Sequence, residues 1–413
     1  MKSTTLARTL TLAIATLSLI GAIGAHAQTY TVLHSFGAAG DGSNPGSPMV
    51  LDPRGNIYGT ALTQGPGGFG MVFELSPNGD GSWSESILHS FDTAGDNPET
   101  SLALDAQGNL YGVTPGFGNG GSYGTIYELS PNGDTWSLNT IHSFTNGTDG
   151  AEPGPVVLGN DNQIYGACSN GETRHDGFVF NFSRLSVLDW SELFLHTFTG
   201  GNDGVDPATP LTLDSAGNLY GITDGGGAYG DGAVYKLTPN HGSFGWTKSV
   251  LYNFGALSGT AEGHLILDAS GNLYGATFED GLYGYGTVYE LSRNQGGNWS
   301  QTVLYNFEGV NHGDGELVGP APVLDAAGNI YGTTLQGGSG CNGYGCGIIF
   351  KLTPSSGGQW TETIVYQFTG GNDGWQPSGG LIQDRAGNLY GTTNYGGAYG
   401  NGGTGGVVFQ FIP

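Results

Sequence analysis

The chain has 413 residues and sets only ten Lys and Arg against 35 Asp and Glu, a formal net charge of −25. That balance excludes the basic footprint of a nucleic-acid-binding protein and makes an anionic membrane a poor partner, which leaves cations and neutral polyols as the expected ligands. Eighty glycines would signal disorder if they were clustered, but they recur in register with aromatic and β-branched residues and therefore read as turns.

Residues 1–27 carry Lys2 and Arg8, then an apolar stretch at 10–14 and 17–20, and end in Ala25-His26-Ala27. A basic start, a short apolar stretch and a small-x-small end form the pattern of a secretory signal peptide. The mature chain is predicted to begin at Gln28; losing two positive charges takes its net charge from −25 to −27. No later apolar run has membrane length, so neither a membrane span nor a C-terminal anchor is expected.

From there the chain repeats one phrase seven times: Gly55-Asn56-Ile57-Tyr58-Gly59 is the first copy and Gly387-Asn388-Leu389-Tyr390-Gly391 the last. Its tyrosines stand at 58, 111, 165, 220, 274, 331 and 390, separated by 53 to 59 residues on subtraction. Such a period is a little longer than that of known propeller blades and too long for one hairpin. Each unit holds four short β-patterned segments, here called a to d; in the fifth unit they fall at 264–268, 272–277, 286–291 and 299–307. The expected fold is all-β: a seven-bladed β-propeller of four-stranded antiparallel blades, formed by residues 28–413 as one domain. The last unit lacks segment d, and residues 30–36 end in the Leu-His-Ser-Phe of that segment. The N-terminal strand is therefore predicted to complete blade seven and close the ring.

Two regularities read as scaffold. Asp52, Asp105, Asp214, Asp268, Asp325 and Asp384 open an Asp-x-x-Gly-Asn turn between a and b, where carboxylates bond nearby amides. In strand d, Trp83, Trp136, Trp190, Trp246, Trp299 and Trp360 each precede a His or Tyr by six residues. Six is even, which predicts one shared sheet face packed against a neighbouring blade. Of three cysteines, Cys341 and Cys346 are read as a local disulfide ahead of a metal pair, because no His stands near enough to complete a zinc set; Cys168 is left unpaired.

The recurring Gly-Asn-Leu-Tyr-Gly-Thr-Thr, the Gly-rich loop at 394–400 and the Gly-x-Val-Phe/Tyr-x-Leu phrase resemble the tandem repeat of exported bacterial GloVer-repeat, choice-of-anchor proteins. The resemblance spans the mature chain and implies a secreted or surface repeat protein. It carries no established activity or catalytic residues.

Function is expected in the d-to-a and b-to-c loops, which share one end of the propeller and vary most. Asp41, Asp149, Asp203, Asp224, Asp314 and Asp373 map there with other acids, while Arg174 is the one basic residue. Asp203 and Asp373, in Asn-Asp-Gly turns, are candidate calcium ligands. Aromatics accompany them: Tyr229, Tyr283, Tyr344, Tyr399, Phe69, Tyr123, Tyr285 and Trp375. Rings beside carboxylates suit a sugar, and Trp375, Asp373, Tyr229, Tyr283 and Asp203 form the candidate ligand-binding set. The repeated tyrosines are read first as packing for the Gly-rich loops, whereas Trp375 replaces the Ala151 or Val205 of equivalent loops and has no repeat-wide structural role. In the irregular third unit, Glu172, Arg174, His175 and Asp176 bring acid, base and cation together and are the candidate catalytic groups. The leading expectation is a monomeric exported propeller that binds an extracellular glycan, with calcium as its one candidate ion. Its rivals are a carbohydrate-active hydrolase or lyase using carboxylates of the same face, and a structural or adhesive surface protein.

Overall fold

Every strand b whose burial is described along its whole length within the core phrase, such as Ile57–Ala61, Leu110–Thr114, Leu219–Thr223 and Leu389–Thr393, is buried at each position. Burial on both faces places it inside a blade that is sandwiched between two others. In a computed structural model, the described residues are 28–413 apart from 93–96, 99, 117–122, 161–162, 171–175, 187–188, 208, 241–244, 256–260 and 401–403. The signal-peptide pattern lies outside them.

Seven antiparallel sheets form the ring, each in the order a-b-c-d. Blade five is Ala261–Leu267, Leu273–Thr277, Thr287–Arg293 and Trp299–Asn306. In blades three and six strand a is split in two, so these sheets count five strands. Among the described residues helix is confined to short 3-10 turns such as Gly201–Asp203. As expected, Thr29–Ser35 pairs with Val407–Ile412 and supplies the fourth strand of blade seven, matching Tyr30 to Phe411 and Val32 to Phe409.

The second glycine of the repeated phrase is explained by packing. An aromatic side chain of strand c lies across it in every blade. A β-carbon at Gly332 would fall 2.4 Å from the Phe350 ring, and at Gly275 2.4 Å from the Tyr289 hydroxyl. The turn aspartates also behave as expected. Asp384 accepts the amides of Ala386 and Asn388 on Oδ1, and the Asn388 side chain and the Tyr390 hydroxyl on Oδ2. The repeat tyrosine thus ties strand b to its own turn.

The shared-face expectation for strand d is corrected. A β-bulge interrupts every c–d pairing one residue before the His or Tyr: Val72 faces His89, but Phe73 faces Ile87, so Leu88 is extra. The same shift occurs at Leu33, Ile141, Leu195, Leu251, Leu304 and Val365. An inserted residue inverts the alternation. The tryptophans consequently face the preceding blade, where Trp83, Trp136, Trp190 and Trp246 meet the repeat tyrosines Tyr390, Tyr58, Tyr111 and Tyr165 with ring centroids 5.9 to 6.5 Å apart. The His or Tyr faces the following blade, as His196 does beside Asp203 and Lys248. Seven interblade cores result, one per seam.

Candidate functional site

Strands a surround the axis and line a channel of about 530 Å³. Its walls are apolar and proline-rich, with Met49, Leu102, Val156, Leu211 and Leu381 among them. His264 stands where blades one to four carry Pro48, Ser101, Pro155 and Pro210, and burial lowers its pKa from the ordinary value. Among the described residues the lining contains no carboxylate. The acidic residues of the loop face lie outside this lining.

The carboxylates of the loop face are largely committed elsewhere. Asp373 accepts hydrogen bonds from the Thr369 amide and hydroxyl at 2.8 and 2.6 Å and from the Tyr366 hydroxyl at 3.0 Å. Asp203 accepts from the Thr199 amide at 3.0 Å and from Lys248 Nζ at 2.7 Å, with His196 Nε2 3.1 Å away. Asp149 repeats the arrangement with Thr145 and His142, and Asp41 and Asp314 each bind a loop amide and the His or Tyr of strand d. These are locks that fold five of the d-to-a loops back on their strands. Burial raises the Asp203 pKa, yet the hydrogen bond and charge of Lys248, with further help from His196 and the Thr199 amide, leave it below the ordinary carboxylate value. An ammonium group already sits on Asp203, and Asp373 is saturated by donors, so this geometry counts against calcium at either residue. The sequence did carry a signal: Asp follows His or Tyr by seven and Thr by four in 142/145/149, 196/199/203 and 366/369/373. Asp224 and Glu279 remain exposed on this face.

The aromatics divide in an unexpected way. Phe69, Tyr123 and Tyr285 pack on interblade cores. Tyr229, Tyr283, Tyr344 and Tyr399 do not: they are 73%, 47%, 67% and 53% exposed, and they sit in the b-to-c loops of four successive blades, four to seven. Their loops are held by strand d, whose Asn253 and Asn306 side chains accept the amides of Ala228 and Leu282, and whose Gln367 accepts from Ser339. Exposure of large apolar rings on pinned loops is a mark of contact surfaces. Trp375, in contrast, is half-buried. Its ring lies 4.6 Å from that of Tyr395, and its backbone pairs with Tyr395 as Val205 pairs with Gly225 in blade four. It has a structural role after all, because the loop bridge is repeated and only the side chain is new.

Trp375 still borders a cleft of about 490 Å³ with Gln336, Asn342, Tyr344 and Gln376. The Cys341–Cys346 disulfide, whose Cα atoms are 5.2 Å apart, fixes the loop that carries Tyr344. Cys168 is buried and free, and burial pushes its thiol pKa well up. Glu172, Arg174 and His175 lie outside the described residues. Asp176 is half-buried beside Gly200, and its carbonyl accepts the Asp206 amide.

Fold and loops define a seven-bladed β-propeller of tandem repeats with a disulfide-fixed, tyrosine-bearing face. The sequence matches the Gloeobacter/Verrucomicrobia repeat over residues 20–180, 116–343 and 263–413, and the chain belongs to that family. No curated protein matches it in sequence. Among solved structures it is similar in fold to the "putative 6-phosphogluconolactonase" of Bacteroides uniformis, at 14% identity and TM-score 0.50 over 78% of this chain and 86% of that one. It is also similar to a "putative oxidoreductase (glucose dehydrogenase)" of Thermus thermophilus, at 13% identity and TM-score 0.43 over 93% and 100%. A "putative gluconolactonase" gives 15% identity and TM-score 0.41 over 74% and 88%. The family and the disulfide point to an exported protein, and no described helix is long and apolar enough to cross a membrane.

Proposed function

We propose that this protein is a secreted, monomeric glycan-binding propeller whose contact surface is the tyrosine-bearing face of blades four to seven. The observation that carries the reading is the exposure of Tyr229, Tyr283, Tyr344 and Tyr399 at corresponding loops of adjacent blades. A sugar offers flat C–H faces that stack on such rings, and successive residues of a polysaccharide can meet successive blades. The cleft beside Trp375 adds amide groups from Gln336, Asn342 and Gln376, which donate and accept and so match hydroxyl groups. A neutral chain fits better than an anionic one, because the protein's charge repels polyanions at low salt.

Titration calorimetry against neutral polysaccharides tests this reading. Tyr344→Ala is expected to weaken binding by about 1 kcal/mol, the scale of one aromatic contact, with an unchanged melting temperature. Binding that ignores Tyr344 would move the site away from this face.

A further inference from the structure

Among the described residues, five of the seven seams between blades carry the same three-residue node near the outer edge. Its members are the His or Tyr of strand d, the loop-lock aspartate that follows, and the residue two positions after the tryptophan on strand d of the next blade. The third position varies across all seven seams: Glu85, Leu138, Glu192, Lys248, Gln301, Glu362 and, in blade seven, Tyr30. Its identity sets the chemistry of the seam. Lys248 neutralises Asp203 directly. Gln301 accepts the Tyr252 hydroxyl at 3.0 Å. Tyr30 stacks on Tyr366 at 4.0 Å and donates to the Asp373 carbonyl.

The ring-closing seam differs from these three: it shares its residue types with the His142, Asp149 and Glu192 seam, but among the described residues only its ligand atoms converge. Its members are His34, Asp41 and Glu85, one imidazole against two carboxylates. His34 Nε2 lies 3.1 Å from Asp41 Oδ2 and 3.7 Å from Glu85 Oε2, and one ligand atom from each residue falls within 4.8 Å of the others. Among the described residues no Lys or Arg is paired with either carboxylate. The second oxygen of Glu85 is buried and has no hydrogen-bond partner. Asp41 is itself buried, and its other oxygen is taken by the Gly42 amide at 2.8 Å.

We propose that His34, Asp41 and Glu85 form a binding site for a zinc-class divalent cation that fastens the ring closure. Tetrahedral zinc with bonds of about 2.0–2.2 Å places neighbouring ligand atoms roughly 3.3 Å apart, close to the two spacings of 3.1 and 3.7 Å that His34 makes with Asp41 and Glu85. The imidazole nitrogen selects a transition ion over calcium or magnesium, which prefer all-oxygen sets. Three protein ligands leave the fourth position to water. The three residues come from the N-terminal strand, the connection that follows it and blade one, so an ion held there ties the first strand of the chain to the neighbouring blade. The site adjoins the Tyr399 loop of blade seven, against which Gly37 packs, but it uses none of the four tyrosines, and neither proposal depends on the other.

The test uses protein stripped with a chelator and dialysed, then titrated with zinc sulfate at neutral pH while bound metal and melting temperature are followed. Wild type is expected to take up one zinc per chain and to melt several degrees higher. Glu85→Gln and His34→Tyr should lose both effects and still fold, because the fold itself carries Gln301 and Tyr305 at the corresponding positions of other seams. Asp203→Asn should retain the zinc response. Failure of wild type to bind zinc, zinc uptake undiminished in Glu85→Gln and His34→Tyr, or an equal response to magnesium would each overturn the site.

Discussion

A β-carbon at Gly332 has nowhere to go except into the Phe350 ring, 2.4 Å away. Gly332→Ala is therefore expected to cost about 1–3 kcal/mol as overpacking, and Phe350→Leu in the same chain should recover part of that loss in urea melts; an additive double variant would contradict the contact. The loop locks make a second expectation. Asp373→Asn weakens three hydrogen bonds to a carboxylate and should destabilise the protein by about 1–3 kcal/mol, with no rescue by millimolar calcium, since the carboxylate serves the loop. A calcium-dependent melting temperature abolished by this substitution would restore the ion-binding reading. At this scale the sequence was legible where the interaction is local. The Asp-x-x-Gly-Asn turns bond within six residues and were read correctly. The loop locks span seven to nine residues across a bend, and Asp203 and Asp373 looked like ligands because their donors, Lys248 and Tyr366, come from strands whose placement the pattern alone did not supply.

Strands b and c were legible as elements because their apolar runs and glycines recur in all seven units, and the recurrence of Leu-His-Ser-Phe revealed where the missing strand would come from. Removing residues 28–36 should accordingly lower the urea midpoint of the entire protein, since blade seven would lose its outer strand and expose the edge of Val407–Ile412. A truncated chain with an unchanged midpoint would refute closure by the N-terminus. The face of strand d was not legible. A bulge is one extra residue with no composition of its own, and it turned an even separation into opposite faces at every tryptophan–histidine or tryptophan–tyrosine pair. Its consequence can be measured. Trp299 packs on the core between blades four and five, so Trp299→Ala is expected to cost about 3–5 kcal/mol. Trp375→Ala, which loses the Tyr395 contact and part of the cleft wall, should cost less than half as much.

Across the whole molecule, two buried seam carboxyls and the aspartates of turns and loops set the response to pH in opposite senses. Burial raises Glu85 to about 7, helped by the Asp41 charge and opposed by His34, and burial with the Asp314 charge raises Glu362 to about 7. A carboxyl whose folded pKa exceeds its unfolded value of about 4.3 stabilises fully below that unfolded value, and the contribution is lost as pH rises through 7. Asp52, Asp149, Asp203 and Asp214 are shifted down and act in the opposite sense, losing their contribution only as pH falls through their lowered pKa values. In chelator, the melting temperature should rise as pH falls from 8 to about 5 and decline below about 4, and Glu85→Gln/Glu362→Gln should flatten the upper limb; a double variant with the wild-type slope would exclude these two groups as its origin. The same rigidity that buries those seams leaves the loop face to present its tyrosines. The decisive measurement is retardation of the purified protein in native gels containing a panel of neutral polysaccharides, run beside a variant in which Tyr229, Tyr283, Tyr344 and Tyr399 are all changed to Ala. Retardation of the wild type by at least one polysaccharide, lost in a variant of equal melting temperature, is the predicted result; no retardation on any polysaccharide, or equal retardation of both proteins, would contradict glycan binding by this face.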